Sequence, residues 1–161
     1  MSACIFCQIL SGELPASVVH EDDQALVFMD IHPLGRGHVL IVPRQHAAQI
    51  TTLTPALGEH LFRLARQVLE AQRTLGWGLE GAHVLLNDGH RAQQKVPHVH
   101  VHVIPREKRD ALPSLGRLVL HVTGLFGPAQ NRERLNEQAR LLAQAMAGLT
   151  APAAQQTVPH D

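Results

Sequence analysis

The run Pro97-His98-Val99-His100-Val101-His102-Val103-Ile104-Pro105-Arg106 constrains this chain more than any other stretch. Strict alternation of histidine with β-branched valine has a period of two, which marks a strand. Successive strand side chains point to opposite faces, so His98, His100 and His102 share one face while the valines and Ile104 turn toward a core. At a rise of about 3.3 Å per residue, histidines two positions apart stand roughly 6.5–7 Å apart at the backbone. That is too far for direct pairing but suits side chains converging on one phosphate or one metal. Pro97 and Pro105 lack a ladder donor and frame the strand. The plain alternative is a half-exposed strand whose polar face happens to be histidine. Threonine, lysine or glutamate would fill such a face equally well, so three imidazoles in register mark the run as functional.

The rest of the composition narrows the partners. A length of 161 residues suits one domain, large enough to bury about two thirds of its unfolded surface. Fourteen basic and fourteen acidic side chains cancel, so no overall field argues for nucleic acid or an anionic membrane, and phosphate binding has to come from a local site. The twelve histidines are spread from position 20 to position 160, which a terminal tag does not explain. No apolar run approaches the length of a membrane span, and Met-Ser-Ala-Cys-Ile-Phe-Cys lacks the basic region and apolar core of a signal peptide. Cytoplasm is therefore the expected location. In a reducing compartment Cys4 and Cys7 read as metal ligands or free thiols rather than a disulfide.

Cys4-x-x-Cys7 has no strand before it, which argues against a thioredoxin-like redox motif, and it supplies only half of a four-ligand zinc site. The other half would have to be histidine. Strand-like segments at 17–21 and 25–29 flank an Asp22-Asp23 turn. Residues 30–37 form a loop dense in turn residues, where Asp30 could accept two ribose hydroxyls or simply cap the turn. His38 to Pro43 reads as a central strand. Thr54-Pro55 opens a helix over 55–75 with Leu57, Leu61, Leu64 and Val68 on one face and Gly76 at its end. His60 in that helix reads as a surface residue. A strand at 82–87 leads through the loop 88–96 directly into the histidine run, so Asn87, Gln94 and Lys95 flank whatever binds there. Beyond Arg106 a short strand at 118–122 and a helix over 129–147 are expected, followed by a disordered Ala/Pro/Gln tail over 150–161.

Assembled, these segments resemble the histidine triad (HIT) superfamily of nucleotide-binding hydrolases and transferases. The signature His-x-His-x-His followed by two apolar residues is met by His98 to Ile104. The resemblance extends over Cys-Ile-Phe-Cys-Gln-Ile, Glu21-Asp22-Asp23, Asp30-Ile31-His32-Pro33, Gly37 to Pro43 and Leu86-Asn87-Asp88-Gly89, in the family's order across residues 3–106. It implies an α+β fold, a five-stranded mostly antiparallel sheet carrying a long helix. An extra C-terminal helix fits the bacterial-type, cysteine-containing branch. The domain would occupy 1–149, with 107–149 as its C-terminal extension, and two copies would join as a homodimer. It also implies roles. His100 would attack the α-phosphorus of an adenosine nucleotide and carry it as a nucleotidyl-histidine. His102 would contact the phosphoryl oxygens, and Gln94 would bond the substrate near them. Asn87 would lie by ribose and phosphate. Asp30 would hold the ribose, and Phe28 and Ile31 would form the base pocket, closed by Phe6 and Ile9. Cys4, Cys7, His46 and His98 would bind a structural zinc ion, with His38 as the rival to His46.

The loop before the triad departs from the family's pattern. Gln93 stands where glycine is usual, which costs backbone freedom close to phosphate. Lys95 replaces a hydroxyl or carboxylate, so it either binds a further phosphate as a point charge or is a solvated loop lysine. A phosphoramidate and a dinucleoside polyphosphate both remain candidate substrates. Two other readings compete: a zinc-containing nucleotide-binding scaffold without turnover, and a metalloenzyme holding its ion with the triad itself.

Overall fold

The computed structural model of the protein describes residues 4–107 and 129–150. The chain runs α1 (Ile5–Leu10), β1 (Val18–Glu21), β2 (Ala25–Met29), β3 (Val39–Pro43), α2 (Pro55–Thr74), β4 (Ala82–Leu86), β5 (Val101–Pro105) and α3 (Arg132–Thr150). The strands form one sheet in the order β1-β2-β3-β5-β4, and every neighbouring pair is antiparallel. This is the α+β architecture that the sequence implies. The expected strand at 118–122 and most of the expected tail lie outside the described residues.

Register divides the sheet into two faces with different tasks. Val39 faces Val103, Leu40 faces His102, and Ile41 faces Val101 across β3 and β5. Val27, Val39, Ile41, Val101 and Val103, all fully buried, join Leu61, Leu64 and Val68 of α2 and Leu135 and Leu142 of α3 in the main core. Each such aliphatic side chain contributes roughly 2 kcal/mol by leaving water. The opposite face carries Leu26, Phe28, Leu40 and Val42, covered by Phe6 of α1 in a second, smaller core. His102 shares that face with Leu40 because the pleat alternates. Helices thus bury one side of the sheet, and the triad side is left to a short helix and loops.

The long helix begins and ends as its residues dictate. The Thr54 hydroxyl accepts the Leu57 amide, and proline occupies the first turn. At the other end Gly76 adopts φ +75°, while its N–H donates to the Arg73 carbonyl and the Trp77 N–H to the Gln72 carbonyl, a pair of bonds that closes the last turn. His60 is not on the surface as expected: it is buried and its Nε2 lies 2.8 Å from Asp22 Oδ2. The Asp22 turn packs under α2, so a carboxylate that closes a hairpin also partners a helix histidine. The Asp22 carboxylate also accepts the Gln24 and Ala25 amides. Burial pushes its pKa up, but those two bonds and His60 outweigh it and hold the carboxyl below its ordinary value.

Two elements differ from expectation. Residues 5–10 are helical, where the sequence shows only a short apolar run after the cysteines. The strand of the histidine run starts at Val101, so His98 and His100 precede it. Val99 leaves the sheet ladder and donates instead to the Ala47 carbonyl at 2.7 Å. His98 therefore lies outside the ladder, with its ring packed edge-on against Phe6 at 5.9 Å and against His46 at 4.9 Å.

Candidate active site and metal cage

Each histidine of the run makes a different hydrogen bond through one ring nitrogen, and that bond fixes the role of the other. His98 sets Nε2 2.9 Å from the Pro43 carbonyl. A carbonyl only accepts, so Nε2 carries the proton and Nδ1 is the bare nitrogen. His100 sets Nδ1 2.7 Å from the His98 carbonyl, which protonates Nδ1 and leaves Nε2 with the lone pair. His102 Nδ1 lies 3.0 Å from His38 Nε2. The direction of that bond follows from the next link, where the Leu34 N–H donates to His38 Nδ1 at 3.1 Å. His38 therefore donates from Nε2, and His102 carries its proton on Nε2. The chain yields one ring with a nucleophilic lone pair beside one with a donor, their centroids 4.9 Å apart.

His100 and His102 line a cavity of about 570 Å³ on the open face of the sheet. Its apolar walls include Ile5, Phe6 and Ile9 from α1, Phe28 from β2, Ile31 from the following loop and Leu40 from β3. Phe6 stands edge-on to Phe28 at 5.9 Å and to His100 at 5.1 Å, so α1 forms a wall against the His100 ring. Asp30 also lines the cavity and is 7% exposed. Its Oδ1 accepts the His32 amide at 2.8 Å and its Oδ2 lies 3.6 Å from His38 Nδ1. Asn87, Gln93 and Lys95 enter from the loop before the triad. Such a slot, apolar with a few convergent polar groups, suits a planar base carrying a ribose and a phosphate.

Gln94 is placed differently from its neighbours. Its Nε2 donates to the Ala48 carbonyl at 2.7 Å and its Oε1 accepts the Gly89 amide at 2.8 Å, and Gln94 is absent from the cavity's lining. The Nε2 end thus ties the 87–96 loop to the 48–50 segment, where the Asp88 carboxylate also accepts the Ile50 amide, and the Oε1 end braces the loop internally. Gln93 lines the cavity in its place, with φ +64°, the single non-glycine residue of positive φ among the described residues. A side chain there costs about 1–2 kcal/mol, which is why glycine is the usual occupant. Lys95 Nζ reaches Gln93 Oε1 at 3.4 Å.

The second cluster lies behind Phe6. Cys4, Cys7, His46 and His98 bring four ligand atoms within 4.8 Å of one another. Cys4 Sγ is 3.5 Å and Cys7 Sγ 3.7 Å from His98 Nδ1, Cys7 Sγ is 3.3 Å from His46 Nδ1, and the two Nδ1 atoms are 3.3 Å apart. A tetrahedral zinc ion with bonds of about 2.0 Å to nitrogen and 2.3 Å to sulfur separates its nitrogens by about 3.3 Å and a nitrogen from a sulfur by about 3.5 Å. The donor set fits that ion, and the bare Nδ1 of His98 faces it. Burial, with smaller contributions from His46 and His100, holds His98 below its ordinary pKa against the pull of the Pro43 carbonyl. Burial and then the Cys4 side chain push the Cys7 thiol up, a repulsion that a dication between the sulfurs would relieve. His38 is not in this cage: its donors meet those of Asp30 and His102. The triad is thereby split between two centres rather than gathered on one ion.

Of the site residues read from the sequence, the cavity collects Phe6, Ile9, Phe28, Asp30, Ile31, Asn87, Lys95, His100 and His102, and the cage collects Cys4, Cys7, His46 and His98. Sequence reasoning missed His38 as the partner of His102. It stands two residues before Leu40, which faces His102, so strand register would have found it. Arg132, at the start of α3, also lines the cavity and had no local signal.

Comparison with known proteins agrees with this geometry. The HIT domain model matches residues 11–109. An uncharacterized HIT-like protein of Methanocaldococcus jannaschii is 38% identical over 107 residues, 66% of this chain and 81% of that protein. An adenosine 5′-monophosphoramidase of Schizosaccharomyces pombe is 36% identical over 108 residues, 67% of this chain and 77% of the enzyme. A zinc-bound histidine triad family protein from Mycobacterium smegmatis superposes with a TM-score of 0.72 at 32% identity, covering 91% of this chain and 95% of that one. With the triad, the fold and the Cys/His cage in one chain, this protein belongs to the HIT-domain family.

Proposed function

We propose that the chain is a nucleotidyl hydrolase that cleaves adenosine nucleotides at the α-phosphate through a covalent histidine intermediate. The observation that carries this reading is the 2.7 Å bond from His100 Nδ1 to the His98 carbonyl, which aims a lone pair from Nε2 into the cavity. Imidazole with a free pKa near 6.5 is largely neutral at physiological pH and so available as a nucleophile. Attack of Nε2 on the α-phosphorus forms a P–N bond and expels the leaving group. Water then displaces His100 and releases the nucleoside monophosphate. His102, donating from Nε2, supports the phosphoryl oxygens as charge spreads over them. Asp30 accepts the ribose hydroxyls, Phe28 and Ile31 hold the base with Phe6 and Ile9, and Asn87 reaches the ribose–phosphate junction. Gln94 acts by bracing its loop at Gly89 and holding it to Ala48.

Lys95, at the cavity's rim, offers a positive charge to a departing phosphate. This favours a dinucleoside polyphosphate, which expels a nucleoside polyphosphate, over a phosphoramidate, which expels an amine, with both as substrates. Cys4, Cys7, His46 and His98 hold a structural zinc ion that ties α1 to the sheet. A second copy joins across a sheet edge to form a homodimer; β4 is the edge strand beside β5, and its Leu85 is exposed.

The test is a panel of adenosine phosphoramidate and diadenosine tetraphosphate, with mass spectrometry of the quenched enzyme for a nucleotidyl adduct on His100. His100→Ala should abolish turnover while retaining AMP binding. Normal turnover by that variant would refute the nucleophile. AMP binding by the wild type with no cleavage across the panel would identify a binding protein instead.

A further inference from the structure

The cavity wall contributed by α3 carries a role that the triad does not explain. Chain beyond the sheet returns to the site at Gln130, whose N–H donates to the Ile31 carbonyl at 2.9 Å. Asn131 Oδ1 then accepts the Glu133 amide at 2.8 Å, starting the helix. Ser17 is locked to the same helix by its hydroxyl, which donates to Asn136 Oδ1 at 2.6 Å. Between these anchors Arg132 lines the cavity, with Nη1 3.5 Å from Ser17 Oγ. Its neighbours along the chain and across these bonds, Ala16 and Ile31, belong to the apolar slot rather than to the loop that brings Asn87, Gln93 and Lys95 toward His100.

We propose that Arg132 reads the edge of the nucleobase and gives the site a preference for 6-oxopurines, guanine and hypoxanthine, over adenine. The inference rests on the reading of the cavity as a nucleotide site and ranks its bases: adenosine nucleotides remain substrates, bound less tightly than their 6-oxopurine counterparts. A guanidinium has five donors and no acceptor. Guanine and hypoxanthine present two adjacent acceptors, O6 and N7, which a planar fork meets with two parallel bonds. Adenine presents N7 beside a donating amino group, so one donor of the fork would face another. Ile5, Phe6, Ile9, Leu14 and Phe28 grip any purine's face alike. His32, also in the lining, can present either a donor or an acceptor, so the donor-only fork of Arg132 is the group that discriminates.

The test is calorimetric binding of GMP, IMP and AMP to the wild type, Arg132→Ala and Arg132→Lys, with kcat/KM measured on the matching phosphoramidates. The wild type should bind GMP and IMP on the order of tenfold tighter than AMP. Both variants should lose that ratio, because lysine keeps the charge but not the fork, and kcat should stay within about twofold. Equal binding of the three nucleotides by the wild type would overturn the proposal. So would an equal loss for all three in Arg132→Ala, which would assign the arginine to phosphate, or an intact preference in Arg132→Lys. If the base preference behaves as stated but no substrate turns over, the hydrolase reading fails and the role of Arg132 stands. Unchanged melting temperatures in both variants check that α3 remains docked.

Discussion

Gly37 links the packing of the fold to the orientation of the triad, and its replacement by alanine has a calculable effect. The residue has φ +79°, where any side chain costs about 1–2 kcal/mol. A Cβ there would stand 2.6 Å from Trp77 Cε3, 3.0 Å from Cζ3 and 3.4 Å from Pro105 Cγ. Trp77 is only 2% exposed, and the Arg36 guanidinium lies 4.8 Å above its ring, so the indole has little room to retreat. The backbone cannot shift freely either, since Gly37 N–H donates to Gln138 Oε1 of α3 and its carbonyl accepts from Gln72 Nε2 of α2. Overpacking of this kind costs about 1–3 kcal/mol. The total for Gly37→Ala is then about 2–5 kcal/mol, a fall in Tm of roughly 5–15 °C for a chain of this size. Gly76→Ala is the control: φ is +75° but nothing lies within 4 Å of the added methyl, so only the backbone cost of about 1–2 kcal/mol remains. Thermal melts followed by circular dichroism compare the two. Because His38 follows Gly37 and orients His102, kcat of Gly37→Ala should drop as well, while Gly76→Ala keeps wild-type kcat. Equal melting temperatures for the two variants would refute the claim that Trp77 is a rigid wall.

Three further perturbations test separate parts of the structure. His38→Ala removes the donor that sets the His102 tautomer, and kcat should fall on the order of tenfold to a hundredfold with KM little changed; an unaltered kcat would show that His102 orients itself. Cys4→Ser should leave the protein with far less than one zinc per chain after dialysis against a mild chelator, and stoichiometric, tightly held zinc in that variant would rule out the cage. Asp22→Asn tests a pH dependence whose sign follows from the lowered pKa of Asp22. The carboxylate's contribution is present above the free value of about 3.9 and is lost as pH falls through the lower folded value. Urea melts should therefore show the variant less stable than wild type at pH 7, with the gap closing in strong acid, and a constant gap from pH 7 to pH 3 would refute the assignment.

Periodic stretches were legible in the sequence because their periodicity is the packing. The leucines of α2 and the run of β3 are spaced by the face they bury, and Thr54 and Gly76 mark the helix ends through bonds made within the segment itself. Residues of the site were legible only where a local pattern carries them. Cys4 and Cys7 announce half a cage, but His46 or His38 as its completion depends on which side of β3 each histidine emerges, and that is set by register with β5. His60 misled because helix periodicity says nothing of a hairpin turn tucked beneath it. Gln94 illustrates a related limit of local pattern: its place in the loop before the triad is legible, but its bonds to Ala48 and Gly89 are set by the fold. Arg132 had no local signal, since the chain reaches it after leaving the sheet.

The alternation of histidine with valine is therefore less uniform than it reads. Were residues 98–102 one regular strand, three imidazoles would line up on one face and a single ion or phosphate could engage all of them. The strand instead begins at Val101 and Val99 bonds Ala47 outside the ladder, which breaks that equivalence and makes His98 a junction. Its ring enters the cage through Nδ1, while its carbonyl, on the other side of the same residue, fixes the tautomer of His100. Whatever immobilises the His98 ring also immobilises the acceptor that fixes the His100 tautomer. Phe6, carried between Cys4 and Cys7 on α1 and packed edge-on against both His98 and His100, closes the same link from the cavity side. A metal held in that cage would therefore act on the orientation of the His100 ring through the His98 carbonyl, without touching the cavity itself.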